Sequence, residues 1–346
     1  MTCFHFLTRT AQALPVFSVA FGVVAGAATT SQAGTVTFGT GGNQFQMEFV
    51  TIGNPGNTAD TTGIPNPVGR VEYVYSIGKF EVSENMIDKY NLEFGNANSL
   101  TITKDSRGPN KPATSVSWNE AARFINWLNT STGNQVAYKF TTTGVNDNIA
   151  MWNSGETGYD ASNPWRNSFA RYFLPSADEW YKAAYFDPNN KYYYDYTTGS
   201  DTAPTAVDSG RTAGTAVYYK QVGPADVDQA GGLSPFGVMG LGGNVYEWDE
   251  SLAQSIFHRG VRGGYWAVES EAYLSSSVRL GNNEPGVEQG VLGFRVASLS
   301  SSTPPAVPEP SMMVIGTLFG LGGLVAKRRM NLCVEPTLVL KRIELA

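Results

Sequence analysis

The sequence predicts an α+β fold that is low in regular secondary structure and has many ordered loops. Three observations lead there. Alternating apolar residues occur in short runs near the start of the chain. Three helical stripes carry their own capping residues. The long stretches between them are rich in Gly, Asn, Thr and Tyr and show no clear period.

From Thr35 to Val50 the apolar residues Val36, Phe38, Phe45, Met47 and Phe49 alternate with polar ones around a Gly39-Thr40-Gly41-Gly42 turn, so two strands are expected. After a Pro/Gly/Asn-rich loop from Gly53 to Gly69, Val71 to Ile77 reads as another strand. Ser83 is placed to cap a helix with Ile87, Tyr90 and Phe94 on one stripe, ending at Gly95. Ser117 and Glu120 make a capping box, in which the hydroxyl accepts from the third helical amide and the glutamate reaches back. Phe124, Ile125 and Leu128 follow at helical spacing. Ser176 and Glu179 repeat the device before Trp180, Ala183 and Ala184, and Asp187-Pro188 stops that helix.

Composition removes several function classes. Among 346 residues only 16% are charged, with 24 basic against 30 acidic, while Tyr (17) and Phe (18) are plentiful. Such a chain is too aromatic for disorder and too poor in Lys and Arg for nucleic-acid binding. Cys3 and Cys333 lie near opposite ends, which excludes a disulfide framework or a Cys-based zinc site. His5 and His258 are the only histidines and leave little for a His-built metal centre.

The two ends read as addresses. Arg9, an apolar stretch from Ala11 to Ala28 broken by Pro15, and the small residues Ala25-Gly26-Ala27 or Ser31-Gln32-Ala33 describe a signal peptide over 1–33, cut by signal peptidase. An uncleaved membrane anchor is the alternative. A linker (299–306) precedes Val307-Pro308-Glu309-Pro310, an apolar run over 311–326 and Lys327-Arg328-Arg329. That run spans about 24 Å as a helix, against about 30 Å of hydrocarbon, which suits transient membrane anchoring. Between Gly34 and Ala306 there are 18 basic and 27 acidic residues, a net −9 that favours solubility and repels polyanions.

Pro-Glu-Pro, apolar run and basic cluster, in that order over 307–329, resemble the PEP-CTERM sorting signal of Gram-negative bacteria that secrete exopolysaccharide. The resemblance implies processing by an exosortase and a destination at the cell surface, outer membrane or extracellular matrix. The tail from Met330 to Ala346 departs from that pattern, and an ordinary C-terminal anchor is the alternative.

Ile77-Gly78-Lys79-Phe80-Glu81-Val82-Ser83, Val116-Ser117-Trp118, Leu174-Pro175-Ser176-Ala177-Asp178-Glu179-Trp180 and Gly243-Asn244-Val245-Tyr246-Glu247-Trp248 follow one another along the body of the chain. Arg262-Gly263-Gly264-Tyr265-Trp266, Arg279 and Gly293-Phe294-Arg295 complete the set. Together, best matched over 70–298 within a domain of 34–298, they resemble the formylglycine-generating enzyme (sulfatase-modifying factor) family, a variant of the C-type lectin fold. The oxidising members carry two cysteines in the stretch after the Gly-Gly pair. Here Ala267 to Arg279 holds none, and Tyr273 and Ser276 or Ser277 lie near those positions. A serine hydroxyl has neither the low pKa nor the softness of a copper(I) thiolate, so no copper is expected.

The resemblance further implies structural calcium held by the Gly243 and Val245 carbonyls and the Glu247 carboxylate, with Gly240 lacking the side-chain oxygen of the family's upstream ligand. Asp226 and Asp228 are candidates for a second calcium loop. A ligand groove is expected near Tyr246, Tyr265, Tyr273, Ser276 and Ser277. Asn244, Trp248, Arg262, Gly263, Gly264, Trp266, Arg279, Gly293, Phe294 and Arg295 are expected to be structural. The expected function is an exported, non-catalytic binding or structural module that takes a peptide or glycan. The alternatives are an enzyme with non-cysteine chemistry and a sulfatase-peptide-binding accessory protein.

Overall fold

In the computed structural model, β1 (Gly34–Phe38) and β2 (Phe45–Ile52) pair antiparallel, with Phe38 opposite Phe45 and Val36 opposite Met47. The described residues are 34–299 apart from 143, 147, 254, 256 and 257, so the expected signal peptide, sorting signal and tail lie outside them. The chain divides into Met1–Ser301 and Ser302–Ala346, and all described residues belong to the first unit.

β2 pairs with β3 (Tyr75–Gly78), which is shorter than the strand expected from Val71. Residues 72–74 are exposed and outside the sheet, and Arg70 to Tyr73 line a cavity. α1 covers Glu84–Tyr90 and continues as one wider turn to Gly95. Ser83 sits at its N-cap without a side-chain cap bond; the Glu84 amide bonds to the Lys111 carbonyl instead. α2 (Trp118–Ser131) begins with the Ser117–Glu120 capping box, both arms present. α3 (Ala177–Tyr185) follows β4 (Tyr172–Phe173) and begins with the Ser176–Glu179 box.

The second half supplies β5 (Tyr246–Leu252), β6 (Arg259–Arg262), β7 (Leu280–Asn283), β8 (Leu292–Gly293) and β9 (Ala297–Leu299). Two larger sheets result among the described residues. One runs β1-β2-β3-β9-β4 and the other β7-β6-β5-β8, with β5 parallel to β8 and antiparallel to β6. The last strand therefore closes the sheet that the first ones open. An aromatic core lies beneath α2: Phe45, Tyr90 and Phe294 surround Phe124 and Trp127, with ring centroids 5.4–6.3 Å apart.

β5 is unusual because Glu247, Asp249 and Glu250 are all buried in it. Buried carboxylates require partners. Each is met by an arginine from a different part of the chain: Arg295 for Glu247, Arg279 for Asp249 and Arg166 for Glu250. These three pairs fix where the surrounding loops lie.

Candidate functional site

The residues expected to line a groove divide between two places. Tyr246 opens β5, and its ring lies 5.3 Å from Tyr265, which stands 5.5 Å from Trp266. Burial, with Tyr265 and then Tyr273 adding to it, raises the Tyr246 pKa and keeps the phenol neutral. Tyr273 is 44% exposed, so these tyrosines form a ledge with one wet edge. Arg107 stacks over Trp266 at 4.9 Å. Ser276 faces elsewhere. It is buried, its amide donates to the Asp195 carbonyl at 2.9 Å, and its hydroxyl bonds Tyr181. Ser277 is exposed and its hydroxyl lies 2.6 Å from that of Ser275.

The signature residues are buried, apart from the partly exposed Arg279. Asn244, at φ +59°, donates to Glu81 and accepts from the Ala225 amide. Trp248 donates to the Val116 carbonyl. Arg262 is buried against Trp180 and Tyr181 and donates to the Ile64 and Val278 carbonyls; burial lowers its pKa to about 10. Arg279 clasps Asp249 with Nε at 3.0 Å and a terminal nitrogen at 2.8 Å. Gly263 has φ +96°, and a Cβ there would come 2.7 Å from the Leu241 carbonyl, so glycine is required. Gly264 likewise has φ +77°, and a Cβ at Gly293 would crowd the Ala113 carbonyl. Phe294 packs edge-on to Phe124.

At the expected calcium ligands, Glu247 already accepts from Arg295 Nε at 2.6 Å, from a second Arg295 nitrogen and from Trp180 Nε1 at 2.7 Å. Among the described residues no group of three or more His, Cys, Asp or Glu side chains is arranged to hold a metal. One donor does stand free beside this pair. Glu81 is buried, its Oε1 accepts from Asn244 at 2.9 Å, and its Oε2 has no partner. A Cβ at Gly240 would lie 2.4 Å from Glu81 Oε1, so the carboxyl fills the space that a side chain at 240 would take. Burial raises the Glu81 pKa to about 7, against the pull of Arg295. Asp226 pairs with Lys111 at 3.0 Å, and Asp228 pairs with Arg211.

Sequence reasoning missed a third arrangement. A cavity of about 630 Å³ opens between the loop at 70–73, the loop at 162–166, the start of α3 and the end of β5. At its floor Arg166 lies 3.2 Å from both Glu179 and Glu250. Tyr73 donates to Glu179 at 2.5 Å, and Tyr138 and Asn163 donate to Glu250 at 2.8 and 2.6 Å. The Arg166 guanidinium carbon lies over the Phe173 ring, 3.9 Å from its centroid. Burial raises the Glu250 pKa to about 7, with Arg166 opposing. The only local hint was the capping glutamate, Glu179, which serves helix and cavity at once.

A search of curated proteins returned no match. CarF is 18% identical, covers 73% of this chain and 98% of its own, and superposes with a TM-score of 0.53. Treponema denticola variable protein 1 is 19% identical, with coverage of 77% and 99% and a TM-score of 0.49. PvdO from Pseudomonas aeruginosa is 19% identical, with 77% and 98% and a TM-score of 0.47. At such identity the likeness, carried by CarF, concerns fold alone. The α+β chain adopts the formylglycine-generating-enzyme-like variant of the C-type lectin fold. The family model for the sulfatase-modifying factor enzyme 1-like domain matches residues 21–299, and the chain belongs to that family.

Proposed function

We propose that this chain is an exported, non-catalytic binding module of the cell surface or exopolysaccharide matrix. The carrying observation is the stretch from Ala267 to Arg279, which offers hydroxyl, carboxyl and apolar side chains but no sulfur beside the Tyr246–Tyr265 ledge. Soft copper(I) has no ligand of its kind there. The ledge instead presents aromatic surface with a polar tip, suited to a peptide or glycan. The net −9 of residues 34–306 and the resemblance of 307–329 to a sorting signal support export, with signal peptidase and an exosortase as processing partners.

Calcium belongs to the proposal with Glu81 added to the Gly243, Val245 and Glu247 donors. Glu81 and Glu247 together face one Arg295, which leaves one carboxylate charge uncompensated and one oxygen orphaned. Hard oxygen donors of this kind suit calcium. Metal titration of the full chain tests both halves. Calcium should raise the melting temperature by several degrees at about 100 times its Kd, and Glu81→Gln should abolish the rise. Copper(I) should wash out of a Cys3→Ser/Cys333→Ser chain on gel filtration. Stoichiometric copper retention, or a calcium response untouched by Glu81→Gln, contradicts the proposal.

A further inference from the structure

We propose that the cavity between the start of α3 and the end of β5 is a second binding site, which takes an uncharged sugar ring of an oligosaccharide. Its volume of about 630 Å³ falls within the range of small-molecule sites. The proposal goes beyond the tyrosine ledge, which lies at the opposite end of β5, and stands or falls separately from it.

The lining decides the ligand chemistry. Trp165 offers an aromatic wall: Arg259 covers it at 4.5 Å, stacks on Trp118 as well, and so fixes the indole in place. An aromatic face held this way suits the C–H face of a pyranose. Around it stand donors and acceptors together. Arg70 gives its Nε to Glu72, but its largely exposed guanidinium has its terminal nitrogens to offer, and the indole N–H of Trp165 is a donor. Asp178 holds the Gly69 amide with one carboxylate oxygen and has a second oxygen to offer. A sugar hydroxyl both donates and accepts, so it can answer this mixed set. A bare ammonium only donates, and would leave Arg70 and the indole unanswered.

Charge excludes the other sugars. Glu72, Asp178, Glu179 and Glu250 line the cavity against Arg70 and Arg166, a formal net of two negative charges that stays negative with Glu250 protonated. Uronates, sulfated and phosphorylated sugars would be repelled. The floor is also preorganised, since Arg166 is locked by Glu179, Glu250 and Phe173 before any ligand arrives.

The test is isothermal titration of the full chain with cellotriose, mannotriose, galactotriose and chitotriose, with trigalacturonate and cadaverine as contrasts. At least one neutral trisaccharide should bind with a Kd below about 1 mM. Met151 is half exposed at the rim, so Met151→Trp can narrow the mouth without touching the core. Both Met151→Trp and Trp165→Ala should weaken binding about tenfold or more, with melting curves recorded to show that each folds. Leu92→Ala, exposed and outside both the ledge and the cavity, should leave binding unchanged. No neutral sugar binding up to about 10 mM overturns the proposal. So does equal affinity for trigalacturonate, binding of cadaverine in preference to the sugars, or binding indifferent to Met151→Trp.

Discussion

Replacing Arg295 with methionine should cost about 3–5 kcal/mol of stability, because it leaves Glu247 buried and unpaired. Arg295 is fully buried and donates to both Glu247 oxygens, to the Gly78 carbonyl at 2.8 Å and to the Met239 carbonyl at 2.9 Å. It therefore joins β3, β5 and the segment before Gly240 to the chain just ahead of β9. The two orphaned carbonyls add about 1 kcal/mol or more each, which brings the loss within reach of a whole domain's stability. Urea denaturation followed by tryptophan fluorescence measures it. Where Arg295→Met is insoluble, the triple variant Arg295→Met/Glu247→Gln/Glu81→Gln should recover soluble protein, since neither carboxylate that faces Arg295 is then stranded. A single variant within about 1 kcal/mol of the parent would show that the pair does not hold the sheets together.

Arg166→Met should have a similar effect with a distinct pH signature. Glu179 and Glu250 lose their shared cation, and Glu250 already has its pKa raised to about 7 by burial. Without Arg166 that pKa rises further. A carboxyl whose folded pKa is raised adds stability below its unfolded value and loses it as pH climbs through the folded value. The loss should therefore be about 3–5 kcal/mol at pH 8 and shrink toward pH 5, where protonation relieves the stranded Glu250 carboxylate. Denaturation at both pH values reads this directly. A loss of equal size at both would assign the residue's role to its packing on Phe173.

The two capping boxes were legible because each is a local device, closed within four residues by its own hydrogen bonds. The first hairpin was legible for the same reason, since Phe38 and Phe45 face each other across one turn. The strand expected from Val71 failed because its apolar residues belong partly to a cavity wall, which alternation does not reveal. Ser83 looked like a side-chain cap, but a carbonyl from Lys111 reached the helix amide first. The Glu179–Arg166–Glu250 cluster had no sequence pattern, because Arg166 and Glu250 meet only through the fold. In the sequence Glu81 is one residue of the Ile77–Ser83 motif, and only the fold sets its buried, unpartnered oxygen beside Gly240.

Cysteine oxidation is the activity that the missing thiols should remove. The direct measurement incubates the full chain and its Cys3→Ser/Cys333→Ser variant with a cysteine-containing sulfatase peptide, copper(I) and oxygen, and follows the peptide by mass spectrometry. A thiol-free ledge predicts that the cysteine is returned unchanged by both proteins. Copper-dependent formylglycine made by the cysteine-free variant would contradict it.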